Sequence, residues 1–531
     1  MKFVYKKIVL YNREELLDTL MKPYVYNDDT LVLLCYEKWG VKSFNTFNGD
    51  FAFVLYDDTK REYIATRDIL GIKALYYLKY NKKYYFSNDI DVLHDLSGIQ
   101  LIPNIKSVKS FLQNTEIDYE ATMYRDIYRV PPAHYVTIRD DTIKLYKYWF
   151  PEKITIDYDT PLEDTLEPFK RLFQKAIDMR VKNHSETAYE LSGGLDSSSI
   201  VSMQKTKYPN ENVDTYSMSF KGMSCDEYAY VKSLEEAYTF KTKNVDVSAM
   251  DFQRQYDFEF NYKMSPHWPI VNTFTMYFPM AEIIRQANKN VIITGQGGDN
   301  LLEGHCEVIS DLLLRKNFKK LYSEIKALKK GRFFYALRCG VWPLFTKQQK
   351  NIIKYLLFRG KKVERIDIKD LFSLENSSSE CYVRNMHALV SASQSTNLDG
   401  NIFHVIEKNY NVEMRHPFYD KKLIEYILSL PSEYKYSQGY IKIILRHAMK
   451  DILPEQVRKR WDKAEFSDVL IMQLDSLDLD VLFSQSELLR LSLLRKNDIK
   501  NLMKNYHNKK NIVDVWTVVN IEYWLQKSLK I

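Results

Sequence analysis

Apolar and polar positions alternate in short runs over the first 150 residues. Runs such as Tyr63-Ile64-Ala65-Thr66, Tyr84-Tyr85-Phe86 and His134-Tyr135-Val136-Thr137-Ile138 stand between turn residues and predict strands. The stretch Gly49-Asp50-Phe51-Ala52-Phe53-Val54-Leu55-Tyr56-Asp57-Asp58 predicts a buried strand that closes in a turn. A polar segment, 151–165, reads as a linker. The pattern then changes. Strand candidates at 187–191, 213–220, 242–247 and 291–294 alternate with helical runs at 198–206, 226–238 and 271–288, the signature of a parallel sheet. From residue 310 onward the chain reads as mostly helical.

Two polar loops follow strands in this second region. Ser192-Gly193-Gly194-Leu195-Asp196-Ser197-Ser198 lies between the run Thr187 to Leu191 and a helical run. A Gly-Gly turn between strand and helix brings backbone N–H groups close to an anion, and the helix N-terminus adds its partial positive charge. The serine hydroxyls add donors, and Asp196 offers a carboxylate suited to Mg²⁺. The spacing is not that of a Walker A loop. Gly295-Gln296-Gly297-Gly298-Asp299 follows the strand at 291–294. Both loops fall at strand C-termini, where open α/β sheets bind ligands.

Composition narrows the class without naming a chemistry. At 531 residues with 45% apolar positions, the chain has room for roughly two to four domains. The net charge of +7, from 76 basic and 69 acidic residues, does not call for a nucleic-acid partner. The basic residues are unevenly spread, with fifteen Lys/Arg against Glu324 and Glu364 in 315–364. That stretch reads as a solvated face of amphipathic helices, or as a surface for an acidic peptide or polyanion. Cys35, Cys225, Cys306, Cys339 and Cys381 form no CxxC, which reads as a reduced, cytoplasmic protein without disulfides. Signal peptide and membrane span are both absent from the pattern.

The seven-residue loop resembles the SGGxDS pyrophosphate loop of the ATP pyrophosphatases, which split ATP to AMP and pyrophosphate. The wider order of motifs resembles the asparagine synthetase family. Gly49 to Phe53, Arg67 to Tyr77, Phe86-Ser87-Asn88-Asp89-Ile90, Val130 to Tyr135 and Tyr148-Trp149 are similar to its glutaminase domain. The loop at 192–198, Gly295 to Asp299, Arg415 to Asp420, Lys442 to Arg446, and Leu453-Pro454 through Arg460 and Lys463 follow its synthetase order. The resemblance implies an α/β chain in three parts. Residues 1–150 form a glutaminase-like (Ntn-type) antiparallel β-sandwich with helices, and 151–165 a linker. Residues 166–531 form an ATP-pyrophosphatase-type parallel-sheet synthetase domain with a helical C-terminal part.

The departures narrow the branch. Glutamine-dependent members carry a nucleophilic Cys at position 2, whereas this chain has Lys2; Cys35 lies in an apolar run, and Asp29 reads as a relic of the glutamine pocket. The first domain is therefore expected to keep the fold without the glutaminase chemistry. Cysteine-free branches include β-lactam and carbapenam synthetases and the lasso peptide cyclases. Gln296, where the β-lactam branch places a Tyr, together with Asn300, Arg415-His416-Pro417-Phe418 and Trp524-Leu525, is most similar to the cyclases.

That resemblance implies ATP-dependent macrolactam formation in a ribosomal precursor peptide, with a leader-binding protein and a leader peptidase as partners. The alternatives are an ammonia-dependent asparagine synthetase, a β-lactam-type amide synthetase, or a non-catalytic scaffold. In the implied reaction a carboxyl is adenylated with release of pyrophosphate, and an amine then displaces AMP. ATP would be held by Leu191, Ser192, Gly193, Gly194, Leu195, Asp196, Ser197, Ser198, Met218, Gly295 and Lys463. Asp196 and Asp299 would share Mg²⁺. By spacing alone Lys442 reads as a surface helix lysine, but its collinear place makes it, with Arg446, the catalytic candidate. Gln296, Arg415 and His416 would line the acceptor pocket, the last two reading equally as a buried ion-paired turn. His305 and Glu413 are candidate bases.

Overall fold

A computed structural model describes residues 1–531 except 26, 114–117, 182, 248–276, 305–307, 328–400, 462–463, 505, 510 and 530–531. Antiparallel strands build the first part: β1 (Lys2–Leu10), β2 (Gly49–Asp57), β3 (Glu62–Arg67), β4 (Tyr76–Tyr80), β5 (Lys83–Ser87), β6 (Ile127–Arg129), β7 (His134–Arg139) and β8 (Thr142–Lys147). They form a five-stranded sheet in the order β1-β2-β3-β7-β8 and a three-stranded sheet in the order β5-β4-β6. The continuous apolar run of β2 follows from burial on both faces. Ala52 and Val54 meet Leu75, Tyr77 and Phe86 of the smaller sheet. Phe51, Phe53 and Leu55 meet Leu31, Val32, Cys35 and Tyr36 of the helix Asp28–Trp39.

The segment at 151–165 is tied down rather than free. Ile154 and Ile156 pack on the main core, and Asp157 N donates to Ser429 O at 2.8 Å. A helix, Leu162–Asp178, begins before the expected linker ends and buries Phe169, Phe173, Ala176 and Ile177.

Five parallel strands follow: β9 (Thr187–Glu190), β10 (Asp214–Ser219), β11 (Lys243–Asp246), β12 (Val291–Ile293) and β13 (Glu413–Arg415), in the order β11-β10-β9-β12-β13. Helices Leu195–Lys207, Tyr228–Tyr238 and Tyr277–Gln286 alternate with them. The first four strands match the sequence expectation closely. Strand β13 does not, because the region beyond 310 is not wholly helical. It also contains a hairpin of β14 (Tyr436–Ser437) and β15 (Tyr440–Ile441). Most of the basic stretch lies outside the described residues.

The sheet turns in both directions from β9, since β10 and β11 lie on one side and β12 and β13 on the other. A crevice opens at such a reversal, where the loops after the two central strands diverge. Ser192 to Asp196 follows β9, and Gly295 to Asp299 follows β12. The topology thus brings together loops about a hundred residues apart in sequence.

The two parts share one apolar core that includes Leu31 and Phe53 as well as Phe173 and Ile424. Buried polar contacts stitch them further. Asn48 Nδ2 donates at 2.8 Å to Asp420 Oδ2, itself paired with Arg180 at 3.1 Å, and Lys73 reaches Glu407 at 3.1 Å and Glu413 at 3.4 Å. The helix Ile512–Ser528 lays Val518, Ile521, Trp524 and Leu525 against Tyr76, Leu78 and Leu93 of the first part. Among the described residues no helix is long and apolar enough to cross a membrane.

Candidate active site

A cavity of about 600 Å³ opens at this crevice, lined by residues of both loops and of the segments around Lys442 and Arg460. Small side chains make the loops fit. Gly193 has φ +82°, and a Cβ there would lie 2.9 Å from Glu227 O and 3.0 Å from the Tyr230 Cβ. A Cβ on Gly295 would meet Ser197 N at 2.8 Å, and one on Gly298 would fall against the Asp196 carboxylate. Gly297, at φ +91°, leaves no room for a side chain beside the Tyr419 ring. The repeated glycines therefore record close approach of two backbones.

Hydroxyls set the shape of the first loop. Ser192 N donates to Ser197 Oγ at 3.1 Å, and Gly194 N donates to Ser192 Oγ at 3.2 Å. The helix begins at Leu195 with Gly194 at its cap and no side-chain capping bond. Its first-turn N–H groups and its dipole therefore face the crevice. Leu191, Ser192, Gly194, Leu195, Asp196, Ser197, Met218, Gly295, Gln296 and Asp299 all line the cavity. Gly193 shapes the turn without lining it. Ser198 lies fully buried in the helix and not on the cavity wall, because the helix starts three residues earlier than expected.

Lys442 sits at the centre. Its Nζ is 2.6 Å from Asp196 Oδ2 and 2.5 Å from Asp299 Oδ1, and the residue is 5% exposed. Burial would push its ammonium down, but the two carboxylates outweigh that and hold it above its ordinary value. Lys442 is not on a helix surface. It follows β15 at φ +59° and caps the helix Ile443–Ala448, a left-handed conformation that costs a non-glycine residue free energy. Arg446, expected to act catalytically, lines the cavity and also braces backbone. Its Nε donates to Ile441 O at 2.8 Å and Nη1 to Arg458 O at 2.5 Å, while burial lowers its pKa.

Two expected acceptor residues are elsewhere. Arg415 and His416 are not among the residues lining the cavity. Arg415, at the end of β13, pairs with Glu413 at 2.8 Å and donates to Arg180 O at 3.0 Å. The His416 Nδ1 meets Thr294 Oγ1 at 2.7 Å, and burial, with Arg180 and Lys73 nearby, pushes the imidazole down to about 3. Both belong to a buried turn beneath the Gly295 loop; Thr294 Oγ1 in turn accepts from Gln296 N at 3.2 Å. Glu413, a candidate base, is engaged by Lys73 and Arg415. Lys463 and His305 lie outside the described residues.

Other groups at the cavity were not anticipated. Tyr277 Oη donates to Glu190 Oε1 at 2.7 Å, and burial raises the Glu190 carboxyl. Arg460 pairs with Glu227, and Trp461 and Phe466 stand at the rim. Cys225 also lines the cavity, its thiol pushed up to about 11 by burial. In the first part Cys35 is fully buried, its thiol pushed up to about 12, and Asp29 is paired with Lys6. Neither cysteine has the environment of a thiolate nucleophile.

The site offers a nucleotide two carboxylates beside the Ser192 loop. Among the described residues no three His, Cys, Asp or Glu cluster into a metal cage. Asp196 and Asp299 are the carboxylates a hard ion would share with phosphate oxygens and water, and in this structure the Lys442 ammonium bridges them.

Comparison with known proteins agrees with this geometry. Residues 168–526 match the asparagine synthase family, and residues 5–149 match the glutamine amidotransferase domain. The chain is 22% identical over 479 residues to the glutamine-hydrolyzing asparagine synthetase 1 of Bacillus subtilis (strain 168), covering 85% of this chain and 73% of that protein. It is 24% identical over 479 residues to synthetase 3 of the same organism, with the same coverage. It is 27% identical over 304 residues to Amidase chry2 of Gibberella zeae, covering 54% of this chain and 44% of that protein. A family match over more than half of its length, on a crevice built for ATP, makes this chain a member of the asparagine synthase family and an ATP-dependent amide ligase.

Proposed function

We propose that this ligase closes a macrolactam in a ribosomal precursor peptide. A side-chain carboxylate attacks the α-phosphorus of ATP, the bond to the β,γ-phosphates breaks, and pyrophosphate leaves. The peptide's N-terminal amine then attacks the activated carbonyl, loses a proton and displaces AMP. One water is lost from the peptide. Magnesium, held by Asp196 and Asp299, would supply charge neutralisation on the phosphates.

The protein's own part is positioning and electrostatics. The N–H groups from Gly194 onward and the Ser192 and Ser197 hydroxyls receive the polyphosphate. Lys442, a fixed cation in a partly desolvated site, stabilises negative charge as the carbonyl becomes tetrahedral. Holding both ends of one peptide together supplies much of the remaining acceleration.

One observation carries the choice of amine. The ATP crevice has its full charged cluster, whereas the first part holds a single cysteine, Cys35, buried and protonated. An amine supplied by the substrate itself removes the need for ammonia from glutamine. Gln296, an amide at the cavity wall, supplies no titrating base. A leader-binding protein and a leader peptidase would deliver the peptide.

The test is mass spectrometry of a precursor core peptide after incubation with the full chain, ATP and Mg²⁺, alongside AMP detection. Loss of one water with stoichiometric AMP supports the proposal. AMP formed only with aspartate and ammonia, with the peptide unchanged, returns the chain to asparagine synthesis, the activity named for its relatives.

A further inference from the structure

Arg460 reaches the cavity from a segment far from either loop. Its guanidinium pairs with Glu227, at the start of the helix Tyr228–Tyr238, and lies 4.3 Å from the centroid of the Tyr230 ring. The same two residues back the nucleotide loop, since a Cβ on Gly193 would strike Glu227 O and the Tyr230 Cβ. Arg460 is therefore anchored on the residues that wall the Gly-Gly turn, and it lines the cavity with Ser192, Gly194 and Asp196. It is only 8% exposed, and its segment is braced by the Arg446 bond to Arg458 O.

We propose that Arg460 binds the β,γ-phosphate end of ATP and the departing pyrophosphate, with Glu227 and Tyr230 as positioning residues. The planar fork of a guanidinium matches two oxygens of a phosphate. Stacking on Tyr230 and pairing with Glu227 fix that fork before the nucleotide arrives, which lowers the ordering cost of binding. The anion is the polyphosphate rather than the carboxyl substrate because the guanidinium shares its supports with the turn that opens the Leu195 helix. The assignment depends on ATP use alone and holds whichever amine is joined.

Calorimetric titration of the full chain with Mg²⁺ present, using inorganic pyrophosphate and AMP as separate probes, tests it. Arg460→Met keeps an apolar stem over Tyr230. It is expected to weaken pyrophosphate by about 10- to 100-fold, the range of a charge-assisted contact, while AMP changes less than about twofold. Arg460→Lys should fall between, because a point charge lacks the fork. Glu227→Gln should weaken pyrophosphate by less than Arg460→Met, since the guanidinium remains but loses the carboxylate that holds it in place. Equal weakening of pyrophosphate and AMP, no change in either, or a loss in Glu227→Gln as large as that in Arg460→Met would overturn the assignment. If Arg460→Met does not fold, the lysine and glutamine variants decide by the same criteria.

Discussion

Replacing Lys442 by alanine and by glycine separates two things the residue does at once. Both variants remove the ammonium that bridges Asp196 and Asp299. Asp299 has a side chain 42% exposed and can turn to water, whereas Asp196 is 15% exposed and keeps an under-compensated charge. That loss is worth about 1–3 kcal/mol of stability in either variant. The two differ at the backbone. Alanine retains the left-handed strain at φ +59°, about 1–2 kcal/mol, while glycine escapes it but gives back about 0.5–1 kcal/mol of unfolded-state entropy. Lys442→Gly should therefore unfold about 0.5–1 kcal/mol later than Lys442→Ala in urea titration. Turnover, followed as pyrophosphate release, should fall by about 10²–10³-fold in both. The folded-state pKa of Lys442 lies above its ordinary 10.5, so its contribution is complete below 10.5 and is lost only as pH rises through the higher folded value. The stability gap between parent and variants should therefore stay constant from neutral pH to about 10. A parent-like rate in Lys442→Ala would refute the electrostatic role, and an equal or earlier urea midpoint for glycine would refute the strain.

Other outcomes follow from single contacts. His416 is neutral in the folded protein down to about pH 3 but titrates near 6.5 when unfolded, so its contribution is present above 6.5 and is lost as pH falls. The parent should lose about 1.4 kcal/mol per pH unit over that window relative to His416→Phe, read from urea midpoints across pH. Gly298→Ala drives a methyl against the Asp196 carboxylate and should slow pyrophosphate release by about 10²-fold while far-UV circular dichroism is unchanged; a parent-like rate would show that the carboxylate can move. Arg180→Met leaves Asp420 buried without its cation and should cost about 3–5 kcal/mol by chemical denaturation, with a cost below 1 kcal/mol contradicting the reading of that pair.

What could be read from the chain depended on how local the cause was. The Ser192 loop and the Gly295 loop were legible because their glycines and carboxylates sit within a few residues of each other. Strand β12 was legible as an apolar run, and β9 and β10 as short segments that alternate with helical runs. Strand β13 was not: it is three residues long, with Glu413 and Arg415 around Met414, and its apolar signal is a single side chain. The charges at its ends also made Arg415 and His416 ambiguous between a pocket and a buried turn, and only the partners Glu413 and Thr294 decide for the turn. Lys442 could be found by motif order but not by periodicity, because its special backbone comes from the hairpin before it. Tyr277 and Glu190 stand 87 positions apart, and Arg460 and Glu227 lie on still more distant segments. No local pattern joins such pairs; the sheet's reversal at β9 and β12 does.

The shared interior has a consequence for inheritance. A domain whose reaction is separate from its neighbour's can be lost from a gene when the two pack independently. Here Phe53 and Leu31 belong to the same apolar cluster as Phe173 and Ile424, and the helix Ile512–Ser528 rests on Tyr76 and Leu93. Deleting the first 150 residues would therefore strip apolar cover from the ligase and take Asn48 from Asp420 and Lys73 from Glu413. Selection acting only on amide formation is therefore enough to retain the first part, whatever chemistry it performs.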